Sequence, residues 1–394
     1  MKTDEHVYKG LAGMIIIRDD EEAALDLPRT YGVDDIPLVL QDRDFDELGQ
    51  LRFRPMGIGA GGDVMVVNGT VDPIVEVPAQ VVRFRVLNGS GSRVYNVGVG
   101  DDRSFQQIGS DGGLLEAPVG MNRVRLSSGE RAELLVDFTG EVGDTLTFVS
   151  YASELVNNEP GGADEPLRGN PLNGSDFTFL TVKVVAQTTS PAPVTAVPTN
   201  LVSLSPIPEG EAVRTRTMTL DGGTPGNPFA INGIVLDLEV INEVVYLGDT
   251  EIWEITNTST TTHPFHMHDV QFYILDRDGV PPPPNERGLK DVVFVHVDEI
   301  VRVITKFEDF TDPEIPYMYH CHFLGHEDLG MMGQFLVVDR TSDVEDEGPV
   351  AWDGIRLQNY PNPFDRATTL KYTLPARSDL QIDVFDILGR QVKT

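Results

Sequence analysis

The stretch VVRFRVLN, from Val81 to Asn88, alternates apolar and polar residues, which is typical of a β-strand with one buried face. A second stretch, EIWEITN from Glu251 to Asn257, has the same character and ends in the same residue. An Asn-Gly pair precedes each stretch, at Asn68 and at Asn232. Because both segments contain the same turn, strand and terminal Asn, we predict an internal repeat made of two copies of one β-sandwich.

The composition favours an all-β fold. The 394 residues include 38 Gly and 27 Pro, which is typical of many short strands joined by turns. A further strand is predicted at Val64–Val67, and we find no helical pattern beyond about residue 30. Asn-Gly pairs are expected to supply the positive φ angles of tight turns; they lie at Asn68, Asn88, Asn173 and Asn232.

The charge excludes several classes of partner. Lys and Arg number 30 against 62 Asp and Glu, so the formal net charge is −32. Nucleic-acid binding needs clustered cations, and an anionic membrane surface would repel this chain. No run of 18 apolar residues is present, so no membrane insertion is expected. The first ten residues, MKTDEHVYKG, lack the apolar core of a signal peptide.

Six of the eight histidines lie in two short segments, HPFHMH at His263–His268 and HCHFLGH at His320–His326. The second segment also contains Cys321, the sole cysteine, so no internal disulfide can form. Scattered histidines of a core or a surface would not concentrate in this way. The two segments therefore predict a metal site.

Strand geometry divides these ligands into two groups. Successive side chains on a strand point to opposite faces, so His320 and His322 are expected on one side and Cys321 on the other. His266 and His268 likewise share a face, and His263 tends to the opposite one. One short strand would then serve two metal sites placed back to back.

The first group has the ligands of a blue-copper electron-transfer centre, two imidazoles and a thiolate with a thioether as weak axial ligand. Its members are His263, Cys321, His326 and Met331. Met332 competes with Met331 by adjacency, although core packing is the simpler interpretation of Met332. The second group is all imidazole and consists of His266, His268, His320 and His322. A zinc site is the alternative, but zinc has no use for the thioether.

The two histidine segments, with HPFHMH followed by HCHFLGHEDLGMM, resemble the C-terminal copper motifs of the multicopper oxidases. Upstream segments are similar to those of the bacterial copper-efflux (cuprous oxidase), bilirubin oxidase-like and spore-coat laccase members; they are GLAGMIIIRDD at 10–20, YGVDDIPLVLQDR at 31–43, LNGS at 87–90 and SDGGLL at 110–115. The resemblance implies tandem cupredoxin-like Greek-key sandwiches with copper as cofactor.

The resemblance also implies the role of each ligand. His263, Cys321, His326 and Met331 match the type 1 copper ligands. His266 matches the type 2 ligand, and the type 3 ligands are matched by His268, His320 and His322. Electrons from a reducing substrate would enter at type 1 copper and pass through Cys321 to a trinuclear cluster that reduces O₂ to water. Glu327 matches an acid used in proton delivery.

The chain supplies half of the ligands that the family uses at the trinuclear cluster. Relatives take eight histidines there, four of them from an N-terminal domain, whereas four are present here. His6, interpreted as a lone loop residue, and His296, expected as a hydrogen-bonded residue in the alternating strand Val292–Val297, cannot replace the others. We therefore expect either a copper oxidase acting on phenols, bilirubin-like compounds or Cu(I), or a blue-copper electron-transfer fragment without oxidase activity.

The C-terminal segment LQNYPNPFDRATTLKYTLP with LQIDVFDILGRQVKT resembles the sorting domain of the type IX secretion system. It implies an extracellular, cell-surface or periplasmic location and contact with that secretion machinery. Its strands are expected at Thr369–Leu374 and Leu380–Ile387.

Two segments are predicted to be linkers, Pro-rich Thr188–Asn200 and acidic Thr341–Gly348. The expected organisation is the remnant of a first cupredoxin domain at 1–33, a copper-free sandwich at 34–187, a linker at 188–213, a copper sandwich at 214–340, an acidic linker at 341–354 and a truncated sorting module at 355–394.

Overall fold

The computed structural model describes most of the chain before residue 341 and short stretches after it. The described residues are 2–53, 61–156, 158–163, 170–224, 226–340, 350–351, 356–360, 369–373, 381, 384–385 and 391–393. Strands dominate them, which confirms the predicted all-β class. The α-helices are short: α1 (Thr3–Tyr8), α2 (Asp20–Ala24) and α3 (Leu324–Asp328). Three single turns of 3₁₀ helix lie at Ala152–Glu154, Glu209–Glu211 and Pro284–Glu286.

The first sandwich consists of twelve strands in two sheets. They are β1 (Asp35–Arg43), β2 (Val64–Val67), β3 (Thr70–Val71), β4 (Ile74–Pro78), β5 (Val81–Asn88), β6 (Tyr95–Val99), β7 (Phe105–Ser110), β8 (Gly113–Met121), β9 (Val124–Leu126), β10 (Arg131–Asp137), β11 (Thr145–Ser150) and β12 (Phe177–Val185). One sheet has the order β3-β2-β1-β5-β10-β7-β8, and the other has the order β4-β12-β11-β6-β9.

The second sandwich follows with the same plan. Its strands, with the additional short strand β15, are β13 (Arg214–Asp221), β14 (Ala230–Ile231), β15 (Val240–Ile241), β16 (Glu243–Tyr246), β17 (Thr250–Asn257), β18 (His263–Met267), β19 (Tyr273–Arg277), β20 (Val292–Val295), β21 (Ile300–Lys306), β22 (Asp312–Cys321) and β23 (Met332–Val338). The sheets run β14-β13-β17-β21-β19 and β16-β23-β22-β18-β20.

The internal repeat expected from the sequence is present in the strand pairing. Strands β1 and β5 pair in parallel, as do β13 and β17. In the opposite sheets β12 pairs in parallel with β4, and β23 with β16. The central strand of each first sheet places one aromatic residue at the middle of its core, Phe84 in one sandwich and Trp253 in the other, both with 0% exposure. Burying such a side chain contributes about 1.5–3 kcal/mol to folding.

The terminal Asn of each repeated strand has a buried structural role. Asn88 donates from its Nδ2 to the carbonyl oxygens of Arg93 and Leu126, at 2.7 and 2.9 Å. Asn257 donates in the same way to the carbonyls of Thr261 and Val295, at 2.8 and 3.2 Å. These amides therefore tie one sheet of each sandwich to the other.

Asn-Gly pairs form left-handed turns at two of the predicted places, where Asn68 has φ 50° and Asn232 has φ 55°. Gly174 also has a positive φ, of 63°. The prediction is wrong for Asn88-Gly89, neither of which has a positive φ, because Asn88 is the last residue of β5 and its amide is used inside the core.

Two histidine expectations need correction. His6 lies on α1 rather than in a loop, and it is exposed there. The strand that precedes His296 ends at Val295, and its four residues are all buried instead of alternating. Both faces of β20 are therefore covered. The His296 backbone N–H donates to Glu299 at 2.7 Å, so this residue belongs to a turn.

The predicted linker Thr188–Asn200 contains no helix or strand, although Val194 packs into a small buried cluster with Leu27 and Val81. The acidic linker Thr341–Gly348 lies outside the described residues. The C-terminal strands are β24 (Val350–Ala351), β25 (Arg356–Tyr360), β26 (Thr369–Thr373), β27 (Val384–Phe385) and β28 (Gln391–Lys393). Strand β26 matches one predicted strand of this region, while most of Leu380–Ile387 is not among the described residues. The domain boundaries given above stay predictions.

None of the helices formed by the described residues is long and apolar enough to cross a lipid bilayer.

Candidate metal centres

Both histidine segments lie in one sheet, on neighbouring antiparallel strands. Strand β18 carries the first segment and pairs with β22, so Phe265 faces Cys321 and His266 faces His320 in the register. Since side chains alternate along each strand, the cysteine and the histidine next to it point to opposite faces. The structure separates the candidate ligands into the two groups expected from the sequence, and His322 lies beside the second group.

The first group forms a buried triad of His263, Cys321 and His326. The Nδ1 atoms of the two histidines lie 3.4 and 3.6 Å from the Cys321 Sγ and 3.2 Å from each other. All three side chains are inaccessible to solvent, with exposures of 3% or less. Three donors at such separations are close to the about 3.5 Å expected for ligands each roughly 2 Å from one ion in a plane. The donor set therefore fits a copper ion.

Ser259 determines which nitrogen of His263 faces the triad. The Ser259 Oγ lies 2.7 Å from the His263 Nε2, and it also lies 2.8 and 2.9 Å from the acceptor oxygens of Asn257 and Thr261. If the hydroxyl donated to His263, both acceptor oxygens would face the Ser259 oxygen without a proton between them; these contacts therefore favour the arrangement in which the hydroxyl oxygen accepts from the Nε2–H of His263. The Nδ1 lone pair is thereby left to face Cys321, as metal ligation requires.

Aromatic and thioether groups enclose the triad. The ring of Phe229 stacks on His326 with centroids 3.8 Å apart, and Phe323 packs near both histidines. Met331 is fully buried in the same hydrophobic cluster as Cys321, and its carbonyl accepts from the Cys321 N–H at 3.0 Å. Met332 begins β23 and lies opposite His320 in the strand register. Met331 therefore keeps its place as the candidate axial ligand.

The second group brings together His266, His268 and His320, whose ring nitrogens lie within 4.8 Å of one another. The His268 and His320 Nε2 atoms are 3.3 Å apart. His266 donates from Nδ1 to the Asp291 carbonyl at 2.7 Å, and His320 donates from Nδ1 to the Cys321 carbonyl at 3.0 Å. Both rings therefore present an unprotonated Nε2 to the centre of the group.

His322, the fourth predicted member, lies beside this group. Its ring centroid is 5.5 Å from that of His266 and 5.6 Å from that of His320. Its Nδ1 is buried and has no hydrogen-bond partner among the described residues. An orphaned imidazole nitrogen next to three other imidazoles fits a metal ligand better than a framework histidine.

The second group differs from the triad in its access to solvent. His266 and His268 line an open cleft of about 880 Å³, together with Asp269 and Tyr317. His268 is exposed, whereas His320 is buried. The second group is therefore open to solvent on the side of His268.

Burial keeps the enclosed histidines neutral. It lowers the pKa of His263, with the nearby His326 adding to the effect, and it lowers the pKa of His320, where His322 and His266 contribute. Burial also raises the pKa of the Cys321 thiol. Neutral imidazoles are the form that binds a metal, and a bound metal would deprotonate the thiol.

Glu327, the predicted acid, lies on α3 and borders the second group. One carboxylate oxygen is 3.4 Å from the His320 Nδ1. Burial raises the pKa of Glu327 to about 7, and the hydrogen bond from Thr3 works against this shift. The residue is 7% exposed, so it is not an ordinary surface carboxylate.

Sequence reasoning missed the residues that hold the ligands in place, including Phe229 and Asp291. The sequence does contain a signal for Ser259, because Asn88-Gly-Ser90 and Asn257-Thr-Ser259 occupy the same place in the repeat. No local pattern marks Asp291, which acts through its backbone carbonyl.

The family model described as "Multicopper oxidase" matches residues 211–341. The chain is 34% identical over 334 residues to the cell division protein FtsP of Photorhabdus laumondii, covering 84% of this chain and 67% of that protein. It is 32% identical over 368 residues to the laccase of Bacillus subtilis, covering 85% and 68%.

Among solved structures, the McoA multicopper oxidase of the hyperthermophile Aquifex aeolicus superposes with a TM-score of 0.74 at 34% identity, covering 85% of this chain and 73% of that chain. The similarity supports the cupredoxin-like fold of the sandwiches, and the family implies copper as the metal, for which the described residues include His and Cys clusters that could hold an ion. From the matched relatives and the fold, the chain belongs to the multicopper oxidase family.

Proposed function

We propose that this protein is a copper-dependent oxidoreductase that takes single electrons from a reducing substrate and delivers them to O₂, which becomes water. The observation that carries the proposal is the triad of His263, Cys321 and His326, joined through one residue on either side of the cysteine to the second group. Type 1 ligands are assigned to this triad with Met331. The ligands of the second copper site are assigned to His266, His268, His320 and His322.

The chain provides a short connection between the two groups. His320 and His322 are the covalent neighbours of Cys321, and the His320 Nδ1–H donates to the Cys321 carbonyl at 3.0 Å. When bound, copper supplies one-electron redox chemistry at the triad and an oxygen-reducing site at the second group. The protein holds the imidazoles neutral, orients their free nitrogens and excludes water from the triad.

Glu327 is proposed as the acid that hands protons toward the second group. Its carboxylate oxygen lies 3.4 Å from the His320 Nδ1, within reach of a small rearrangement or one bridging water. Reduction of O₂ to water consumes protons, so a buried carboxyl beside the histidines is suitably placed to relay them.

The substrate class is proposed as phenols, bilirubin-like compounds or Cu(I). A dedicated Cu(I) role is weakened because the 10 methionines form no Met-rich run. An extracellular, cell-surface or periplasmic location, with contact to the type IX secretion machinery, follows from the resemblance of the C-terminal segment and stays a prediction.

A second candidate function is electron transfer or copper binding without oxidase activity. It is favoured by the second group, where the described residues provide four histidines; three of them lie close together, and two of those three line an open cleft. One relative is named a cell division protein, so family membership alone does not decide between the two functions.

Copper loading separates the candidates. The protein is incubated with Cu(II), excess metal is removed, and copper per chain, visible absorbance and O₂ uptake with a phenolic donor are measured. Blue absorbance with O₂ uptake supports the oxidase. Blue absorbance with about one copper per chain and no uptake supports the electron carrier. A protein that retains no copper would overturn both.

Glu327→Gln tests the proposed acid in an oxidase-active sample. We expect O₂ uptake to fall about 10²-fold, which is typical of removing a general acid, while blue absorbance is unchanged. Asp328→Asn is the matched control on the same helix. An unchanged rate in Glu327→Gln would remove this residue from the mechanism.

A further inference from the structure

The first sandwich forms hydrogen bonds and ion pairs with the segment of the second sandwich that precedes β20. The Leu289 carbonyl accepts from the Gly112 N–H at 2.8 Å and from the Ser110 hydroxyl at 3.0 Å. Lys290 is 4% exposed and pairs with Asp111 at 2.8 Å and Glu130 at 3.1 Å. Two loops of the copper-free sandwich thus hold a segment of the other one.

Arg131 of the first sandwich forms an ion pair with the next residue of this segment, Asp291. Its two Nη atoms lie 2.6 and 2.8 Å from the two carboxylate oxygens of Asp291. Arg131 is itself held by Asp111, which accepts from the Arg131 backbone N–H and from its Nη2, each at 2.8 Å. A bidentate pair of this kind is geometrically demanding and orients both partners. Burial disfavours the Asp291 carboxylate, but the Arg131 hydrogen bonds keep the pKa of Asp291 below its usual value.

Asp291 connects Arg131 to the second group. Its backbone carbonyl accepts from the His266 Nδ1 at 2.7 Å, which selects the ring tautomer with a free Nε2. The same turn that carries Arg131 also reaches His322. A Cβ on Gly129, whose φ is +85°, would lie 2.6 Å from the His322 Nε2 and within 2.8 Å of two ring carbons. The bare glycine backbone therefore leaves the space that the ring occupies.

We infer that the turn Ser127–Arg131 of the copper-free sandwich is a positioning element for the second group, with Arg131 setting His266 through Asp291 and Gly129 setting His322. The inference rests on the proposed copper site at this group. It gives the copper-free sandwich a role in metal chemistry that it performs without contributing a ligand.

Comparison of the two sandwiches indicates that the fold does not need a cation at the position of Arg131. In the strand registers Arg131 opposes Leu87, and the equivalent pair in the second sandwich is Ile300 opposite Thr256. Ile300 is 38% exposed and forms the same strand start without a cation. The guanidinium of Arg131 is therefore explained by its contacts across the two sandwiches.

The test uses Arg131→Gln, with Arg123→Gln as the matched control. Arg123 lies on the same sandwich and forms exposed ion pairs with Asp102 and Glu154. Histidine-selective ¹⁵N NMR of the metal-free protein at about pH 8, above the ordinary histidine pKa, reports the His266 tautomer. His266→Gln assigns its signals. We expect one Nδ1–H tautomer in the parent and in the control, and a mixture of tautomers in Arg131→Gln.

The second readout is Cu(II) affinity at the histidine group, followed by electron paramagnetic resonance. We expect a loss of about 10-fold in Arg131→Gln with unchanged blue absorbance at the triad, as for removal of an outer hydrogen-bond partner. If Arg131→Gln does not fold, Asp291→Asn replaces it in the test. This variant keeps the backbone carbonyl but loses the ion pair, so it should show the same mixture of tautomers.

An unaltered His266 tautomer in Arg131→Gln or Asp291→Asn would overturn the inference. Absence of copper at this group in the parent would instead defeat the proposed function, while the metal-free spectra would still decide the role of Arg131.

Discussion

In the registers of the two sandwiches, Tyr95 on β6 occupies the place of His263 on β18, and Ser150 at the end of β11 occupies that of Cys321 at the end of β22. The side chains that hold them are alike. The Ser90 Oγ lies 2.8 Å from the Tyr95 Oη, just as Ser259 lies 2.7 Å from His263. The same framework thus holds a phenol in the first sandwich and the imidazole of a candidate ligand in the second.

The positions of the second histidine group also have counterparts in the first sandwich. Gly98 and Val149 stand where the second sandwich has His266 and His320. The frame therefore does not itself create a metal centre. A few strand positions and helix α3 after β22, which carries His326, convert a structural sandwich into a candidate copper site.

The largest effect is expected from Cys321→Ser. Removing the thiolate should abolish the blue absorbance entirely, because a hydroxyl does not replace the copper–sulfur bond. Ser150→Ala, at the equivalent place of the first sandwich, should leave colour and copper content unchanged. Visible spectra of copper-loaded variants provide the measurement. Any retained blue band in Cys321→Ser would break the assignment of the triad.

A smaller effect, on stability, is expected at the two central aromatics. Phe84→Ala and Trp253→Ala should each cost about 3–5 kcal/mol in urea unfolding of the metal-free protein, since both side chains are fully buried. Trp253 packs 5.4 Å from Tyr319, the neighbour of His320, so its variant should also disturb the copper spectra. Equal spectral changes in Phe84→Ala would contradict the division of roles between the sandwiches.

The smallest effect is expected at the paired serines. Ser259→Ala and Ser90→Ala each leave a buried partner without its hydrogen bond, at a cost of about 1–3 kcal/mol in unfolding free energy. Ser259→Ala should also shift the reduction potential at the triad, because the His263 tautomer is no longer held. Ser90→Ala should leave that potential unchanged. Identical potentials in both variants would show that Ser259 does not position its histidine.

Strand alternation was enough to predict how His320, Cys321 and His263 divide between two faces, because the period of two is a property of the backbone. The all-β class and the strands at Val64–Val67 and Val81–Asn88 followed from the same pattern. The same pattern did not show that Asn88-Gly89 forms no left-handed turn, because an Asn with a buried amide and an Asn in a turn look alike in sequence. Helix α3, only five residues long, is too short to display a helical period.

The candidate ligands, and their spacing along two strands, were thus readable from the chain itself. The partners that orient those ligands were not: the Asp291 carbonyl lies 25 residues from His266, and Arg131 lies 160 residues from Asp291. The first contact depends on how β18 pairs with β20, and the second depends on how one sandwich packs on the other. Local periodicity encodes neither arrangement. The tertiary structure alone decides that loops of the first sandwich border the second histidine group, because packing brings distant backbone and charge to the same few ångströms.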